Sequence, residues 1–177
     1  MSVQGTAGAG MRFEGRCWKF GDNIPTDRLV KSRYVFDSMD EIVKHVLEDL
    51  NPAFPLEAAP GDIVVAGKHF GQSSGRAIAT KALQSTGIGC VVADTFARTF
   101  FRNCFEIGLP ALELDGAPEL VNDGDNLIVD VKTGEFTNTT TGTMRRVAPA
   151  DPFLLEMLQA GGLIKLAATR PSWLVSR

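Results

Sequence analysis

Three short apolar runs, "DIVVA" (62–66), "GCVVA" (89–93) and "LPALEL" (109–114), alternate with two stretches of helical character, "AIATKALQS" (77–85) and "TFARTFFRNCFEIG" (95–108). The first two runs are β-branched and almost continuously apolar, as strands buried on both faces are. A helix between successive strands returns the chain to the same end of the sheet, which makes the strands parallel and the crossovers right-handed. The β-α-β-α-β series therefore predicts an α/β fold with a parallel core. The first helix is expected over 75–86, stopping at or before Gly87. The second has Thr95 as its N-cap and Gly108 as its C-cap.

Around this core the texture changes. "RFEGRCWKF" (12–20) reads as a strand and "GDNIPTD" (21–27) as a turn. "SMDEIVKHVLEDL" (38–50) reads as a helix, because Ser38 and Glu41 form a capping-box pair and Ile42, Val43, Val46, Leu47 and Leu50 share one stripe. "NPAFPLEAAPG" (51–61) is a proline-rich connection. "DNLIVDVKTGEFTNTTTGTMRRV" (125–147) alternates polar and apolar residues between turn signals, which predicts antiparallel strands or a small barrel. Asp151 and Pro152 open a last helix that "GG" (161–162) ends. The organisation read from this is a flexible leader over 1–11, one domain over 12–167 and a tail over 168–177.

Bulk properties exclude several classes. The net charge is −3, and basic residues form no cluster beyond "MRR" (144–146), so nucleic acid is not expected as a partner. No apolar stretch approaches the roughly 20 residues of a membrane helix, and the N-terminus has no secretory pattern, which points to the cytoplasm. Cys17, Cys90 and Cys104 are odd in number and lack C-x-x-C spacing. They read as small buried residues of a reducing compartment, with no metal ligand set in this chain.

The stretch with chemistry is "GKHFGQSSGRA" (67–77), where a strand hands over to a helix. Gly71 and Gly75 let backbone approach a ligand. The following helix presents free N–H groups and its positive dipole end, and Arg76 adds a fork matched to a carboxylate or phosphate. The spacing fits neither G-x-x-x-x-G-K-[ST] nor G-x-G-x-x-G. On these residues alone, a small-anion site and an ordinary capped helix start with a solvated Arg76 both stand.

Several segments together narrow this. "WKFGDNIPTD" (18–27), "RY" (33–34), "GDIVVAGKHFGQSSGRAIATKAL" (61–83), "GIGCVVADTFARTFFRNCFEIGLPALEL" (87–114) and "PFLLEMLQAGGLIK" (152–165) occur in one family's order. Over about residues 12–167 the chain resembles the small subunits of 3-isopropylmalate dehydratases, the separately encoded swivel domain of the aconitase superfamily. The resemblance implies a swivelling β/β/α domain with a parallel β-α-β core and additional antiparallel strands. It implies a hydro-lyase that isomerises a malate-type 2-hydroxy dicarboxylic acid and is active only with a large subunit. It also implies a [4Fe–4S] cluster, held by that partner and supplying the Lewis acid for the departing hydroxyl.

The same resemblance assigns roles. The family turn F-G-x-G-S-S-R-E is here Phe70-Gly71-Gln72-Ser73-Ser74-Gly75-Arg76-Ala77. Ser74 then matches the carbon-acid base and Arg76 the carboxylate-binding arginine. A serine oxygen serves as a base only where its alkoxide is stabilised, and a helix start beside a guanidinium does that. Gly75 stands where the family's second serine binds substrate, and Ser73, at the family's glycine, offers a substitute hydroxyl. Thr26 and Asp27 face the active site, with Asp27 in its polar network. The family's Y-L-R-T loop is Tyr34-Val35-Phe36-Asp37 here. Phe36 removes a substrate-binding charge, and Arg33 is positioned next door to restore it. That departure favours another alkyl-substituted malate, of dimethylmalate or homoaconitate type. A stand-alone carboxylate-binding module is the non-enzymatic alternative. His69 and Lys68 are expected at the rim, and Arg98 and Arg102 in packing and ion pairs.

Overall fold

The computed structural model describes residues 11–169. The leader expected over 1–11, Met11 apart, and the tail beyond Thr169 lie outside the described residues.

Strand β1 (Arg12–Lys19) is the seam of the molecule. Its first half runs antiparallel to β5 (Asn126–Asp130), from Arg12 opposite Asp130 to Arg16 opposite Asn126. Its second half runs parallel to β2 (Ile63–Ala66), from Cys17 opposite Ile63 to Lys19 opposite Val65. β2, β3 (Cys90–Ala93) and β4 (Ala111–Glu113) continue in parallel. β5, β6 (Glu135–Asn138) and β7 (Thr143–Arg146) form an antiparallel meander. The result is one seven-stranded sheet in the order β4-β3-β2-β1-β5-β6-β7. The region 125–147, read as antiparallel strands or a barrel, is therefore an open extension of the same sheet. Every residue of β2 and β3 is buried, as their unbroken apolarity requires.

Seven helices accompany the sheet among the described residues. They are α1 (Thr26–Leu29), α2 (Met39–Val43), α3 (Phe54–Glu57), α4 (Ala77–Ser85), α5 (Arg98–Ile107), α6 (Pro152–Ala160) and α7 (Leu163–Thr169). α4 and α5 are the two crossovers of the parallel core and pack on each other. None is long and apolar enough to cross a membrane.

Two expectations are corrected. The helix expected over 38–50 is regular only through Val43, although Ser38 does accept the Glu41 N–H. Leu47 takes a left-handed φ of 58° and is fully buried. Its N–H donates to the Leu29 carbonyl at 3.0 Å, so a tertiary bond replaces the helical one. Thr95 does not cap α5, which starts after Ala97; its hydroxyl accepts the His69 N–H at 2.9 Å. The proline-rich connection contains the single turn α3, with Pro55 in its first turn. The chain after Gly162 continues as α7.

One buried polar anchor ties β1 to the β2 entry. Asp62, 6% exposed, accepts from Trp18 Nε1 at 2.8 Å, from Ala59 N at 2.9 Å and from Arg16 N at 3.1 Å. Asp62→Ala leaves three donors without their acceptor, two of them at the β1–β2 seam. The expected loss is about 2–3 kcal/mol, read as a lower urea midpoint with an unchanged slope.

Candidate active site

The site forms where the ends of the parallel strands β2 and β3 meet the segment after β1. Beyond Ala66 the turn is stitched to both neighbours. On one side Phe70 N donates to Thr95 O at 3.0 Å and Ala97 N to Phe70 O at 2.9 Å. On the other, Gly71 N donates to Ile24 O at 2.8 Å and Thr26 N to Gln72 O at 2.9 Å. Phe70 packs edge-on against Phe100, with ring centroids 5.2 Å apart. Gly71 has a φ of +79°, and a Cβ there would overlap the Phe100 ring; only glycine fits so close to α5 in that conformation. The "GDNIPTD" segment is thereby sewn to the "GQSSGR" turn.

Between them lies a cleft of about 240 Å³. Its polar lining is Thr26, Asp27, Ser32, Ser73, Ser74 and Arg76; its apolar lining is Val30, Val35, Ile78 and Ala79. Five of the residues read from sequence (Thr26, Asp27, Ser73, Ser74 and Arg76) are thus gathered in one place. Arg76 is exposed and is the N-cap residue of α4. Its backbone N–H donates to Ser74 Oγ at 3.2 Å. Asp27 accepts from the Ser32 hydroxyl at 2.6 Å and the Ser32 N–H at 2.9 Å. These two bonds, with the attraction of Arg76, hold the Asp27 carboxyl below the usual carboxylate range. Asp27 is therefore an anion across a cleft whose cation is Arg76.

The other three residues lie outside the cleft lining. Gly75 is exposed at the rim and its carbonyl accepts from Asn103 Nδ2 at 3.3 Å. Phe36 is 97% exposed. Arg33 stacks over Tyr34 with its Cζ 4.6 Å from the ring centroid, and its Nη2 lies 3.5 Å from Glu48 Oε1. Arg33 thus turns towards Glu48, while Ser32 and Val35 of its loop turn to the cleft. His69 and Lys68 are exposed and do not line the cleft. Arg98 is exposed, and Arg102 lies 4.0 Å from Glu106. Sequence reasoning missed Ser32 and the apolar lining. Ser32 follows Asp27 by five residues across a helical turn, and nothing in that spacing distinguishes it from any loop serine.

Cys17, Cys90 and Cys104 are buried on β1, β3 and α5. Burial pushes the Cys17 thiol up to about 12, and raises the Cys90 and Cys104 thiols too. Among the described residues no three His, Cys, Asp or Glu side chains are grouped to hold a metal ion. Three separated neutral thiols do not fit an iron–sulfur cluster, whose ligands are thiolates.

Parallel core and antiparallel extension define an α/β domain with a cleft of mixed polar and apolar lining at the ends of its parallel strands. The aconitase C-terminal domain family profile matches residues 27–117. The chain is 42% identical to the 3-isopropylmalate dehydratase small subunit of Thermodesulfovibrio yellowstonii, over 92% of this chain and 97% of that one. It is 44% identical to the isopropylmalate/citramalate isomerase small subunit of Methanocaldococcus jannaschii, over 86% of this chain and 91% of that one. The crystal structure of a 3-isopropylmalate dehydratase from Methanocaldococcus jannaschii superimposes with a TM-score of 0.86 at 30% identity, covering 92% of this chain and 97% of that one. The chain belongs to the aconitase C-terminal domain family.

Proposed function

We propose that the chain is the small subunit of a heteromeric, cytoplasmic hydro-lyase that isomerises 3-isopropylmalate or a close alkyl malate, as leucine biosynthesis requires. The observation that carries this reading is the cleft itself, which is lined by Arg76, Ser73 and Ser74 together with Val30, Val35 and Ile78. An acid that carries both carboxylates and a branched alkyl group matches that mixed lining. The names of relatives that the chain spans nearly end to end support the same reading.

In this reading Arg76 takes a substrate carboxylate in its fork. The Ser74 oxygen removes the proton from the adjacent carbon and becomes a hydroxyl. Negative charge spreads from that carbon into the carboxylate, where the guanidinium is already in place. The Arg76 N–H donating to Ser74 Oγ, with the free N–H groups of the first turn of α4, favours the oxygen's anionic form. Asp27, anchored by Ser32, holds the guanidinium in the cleft by charge. The electron pair left on that carbon expels the hydroxyl from the neighbouring carbon as water, leaving a double bond, and re-addition of water in the opposite sense puts the hydroxyl on the first carbon and the proton on its neighbour. The [4Fe–4S] cluster that aconitase-family enzymes use is assigned to a large-subunit partner, because the three cysteines here make no ligand set.

Co-expression with the large-subunit reading frame, and assay on alkyl-substituted malates, tests the proposal. The mixed pair is expected to dehydrate 3-isopropylmalate, and each chain alone to do nothing. A pair inactive across the panel while this chain binds the acids alone would replace the enzyme reading with that of a carboxylate-binding module. If 3-isopropylmalate ranks below a smaller or longer malate, the substrate assignment moves to that acid.

A further inference from the structure

We infer that Ser73 is a substrate-binding residue whose hydroxyl is held in the cleft by a left-handed backbone; this rests on the hydro-lyase reading above. Four non-glycine residues among those described have a positive φ: Asn23 at 56°, Leu47 at 58°, His69 at 58° and Ser73 at 83°. Left-handed backbone crowds Cβ against the following carbonyl, and outside glycine it is tolerated chiefly by asparagine and aspartate. The first three have visible compensation. Asn23 is a tolerant type, Leu47 is fully buried in the core and its N–H bonds Leu29, and the His69 N–H bonds Thr95 Oγ1. Ser73 has none of these. It is exposed, and its hydroxyl makes no hydrogen bond among the described residues.

Glycine would relieve the strain without loss of any hydrogen bond among the described residues, and the same turn already uses Gly71 at a φ of +79°. A serine in such a position points to a task outside the folded chain, since strain that packing does not offset collects at functional positions. Ser73 lines the cleft beside Ser74 and Arg76, so the task is in the cleft. Gly75, two residues on, cannot easily take the task over. A Cβ there would lie 3.1 Å from Thr99 Cγ2 on α5, and Gly75 does not line the cleft. The hydroxyl that donates to the acid is therefore placed at 73, beside Ser74.

The test uses the complete two-subunit enzyme. Ser73→Gly removes both strain and hydroxyl, whereas Ser73→Ala removes the hydroxyl alone. Both are expected to raise KM about tenfold with kcat little changed, the effect of one lost hydrogen bond to a charged ligand. Their melting temperatures should diverge, Ser73→Gly melting about 2 °C above Ser73→Ala. Wild-type KM in Ser73→Gly, beside an active wild-type pair, overturns the inference alone. An inactive wild-type pair overturns the hydro-lyase reading and this inference with it.

Discussion

Arg76→Lys is expected to raise KM by about ten- to a hundredfold while leaving the fold intact. A guanidinium offers a carboxylate two parallel N–H donors in a fixed plane, and an ammonium on a flexible stem offers one point of charge. Charge-assisted hydrogen bonds are each worth about 1.5–3 kcal/mol, and the exchange forfeits roughly one of them. Arg76 is exposed and its side chain makes no hydrogen bond among the described residues, its backbone N–H donating to Ser74 Oγ. Substitution therefore removes no packing, and the melting temperature should stay within about a degree of wild type. The same change should weaken the hold on Asp27, whose carboxyl is kept low first by Ser32 and only afterwards by Arg76. The Ser32 bonds survive, so Asp27 should remain ionised at neutral pH, and the KM effect belongs to the lost fork. Steady-state kinetics of the two-subunit enzyme on its best malate provide the measurement. An unchanged KM would remove Arg76 from the role of carboxylate clamp.

What was legible in the sequence was whatever local chemistry decides. β2 and β3 announce themselves because strands covered on both faces need apolar residues at every position. α6 is marked by Asp151, whose carboxylate accepts the Phe153 N–H at 2.8 Å, and by Gly161 with its left-handed C-cap. The five residues gathered in the cleft were legible for a different reason: they sit in two short segments whose order is shared with relatives. What was hidden depends on the third dimension. α2 stops because Leu47 donates to Leu29, a bond that no periodicity in 38–50 encodes. Thr95 looks like a cap and instead holds His69, since the turn after β2 lies against it. The open sheet replaced the barrel alternative because β1 changes partner halfway, giving its second half to β2. The loop 31–37 was read for Arg33 and Phe36, yet it presents Ser32 and Val35 to the cleft. Tyr34 decides that. Its ring stacks on His45 at 3.9 Å, and its hydroxyl accepts from Arg33 Nη2 at 2.6 Å, so the arginine is drawn away from the cleft.

Ser74→Ala is expected to lower kcat by about a hundred- to ten-thousandfold, the range for a proton-transfer group lost from the transition state. KM should change little, because Arg76 and Ser73 still bind the acid. A serine is a poor base unless its anion is favoured, and the local structure supplies the reasons. Ser74 Oγ already accepts one N–H, from Arg76, in the resting state. It also lies at the positive end of α4, whose first-turn N–H groups have no helical acceptors. A hydroxyl in that position is paired with donors and not with an acceptor, which favours the deprotonated oxygen over the neutral one. The alternative role for Ser74 is structural, as the acceptor that shapes the start of α4. Removing that acceptor costs about 1 kcal/mol, close to a helix-cap loss, and would lower the melting temperature by about 2–4 °C. Stability alone does not separate the two roles, but hydrogen exchange does. With the large subunit present in heavy water, the wild-type enzyme should wash deuterium into the substrate carbon next to the carboxylate, and Ser74→Ala should not. If Ser74→Ala loses only the few degrees of a cap and still exchanges and turns over at the wild-type rate, the base is another group in the cleft. The ionised carboxylate of Asp27 then becomes the next residue to replace.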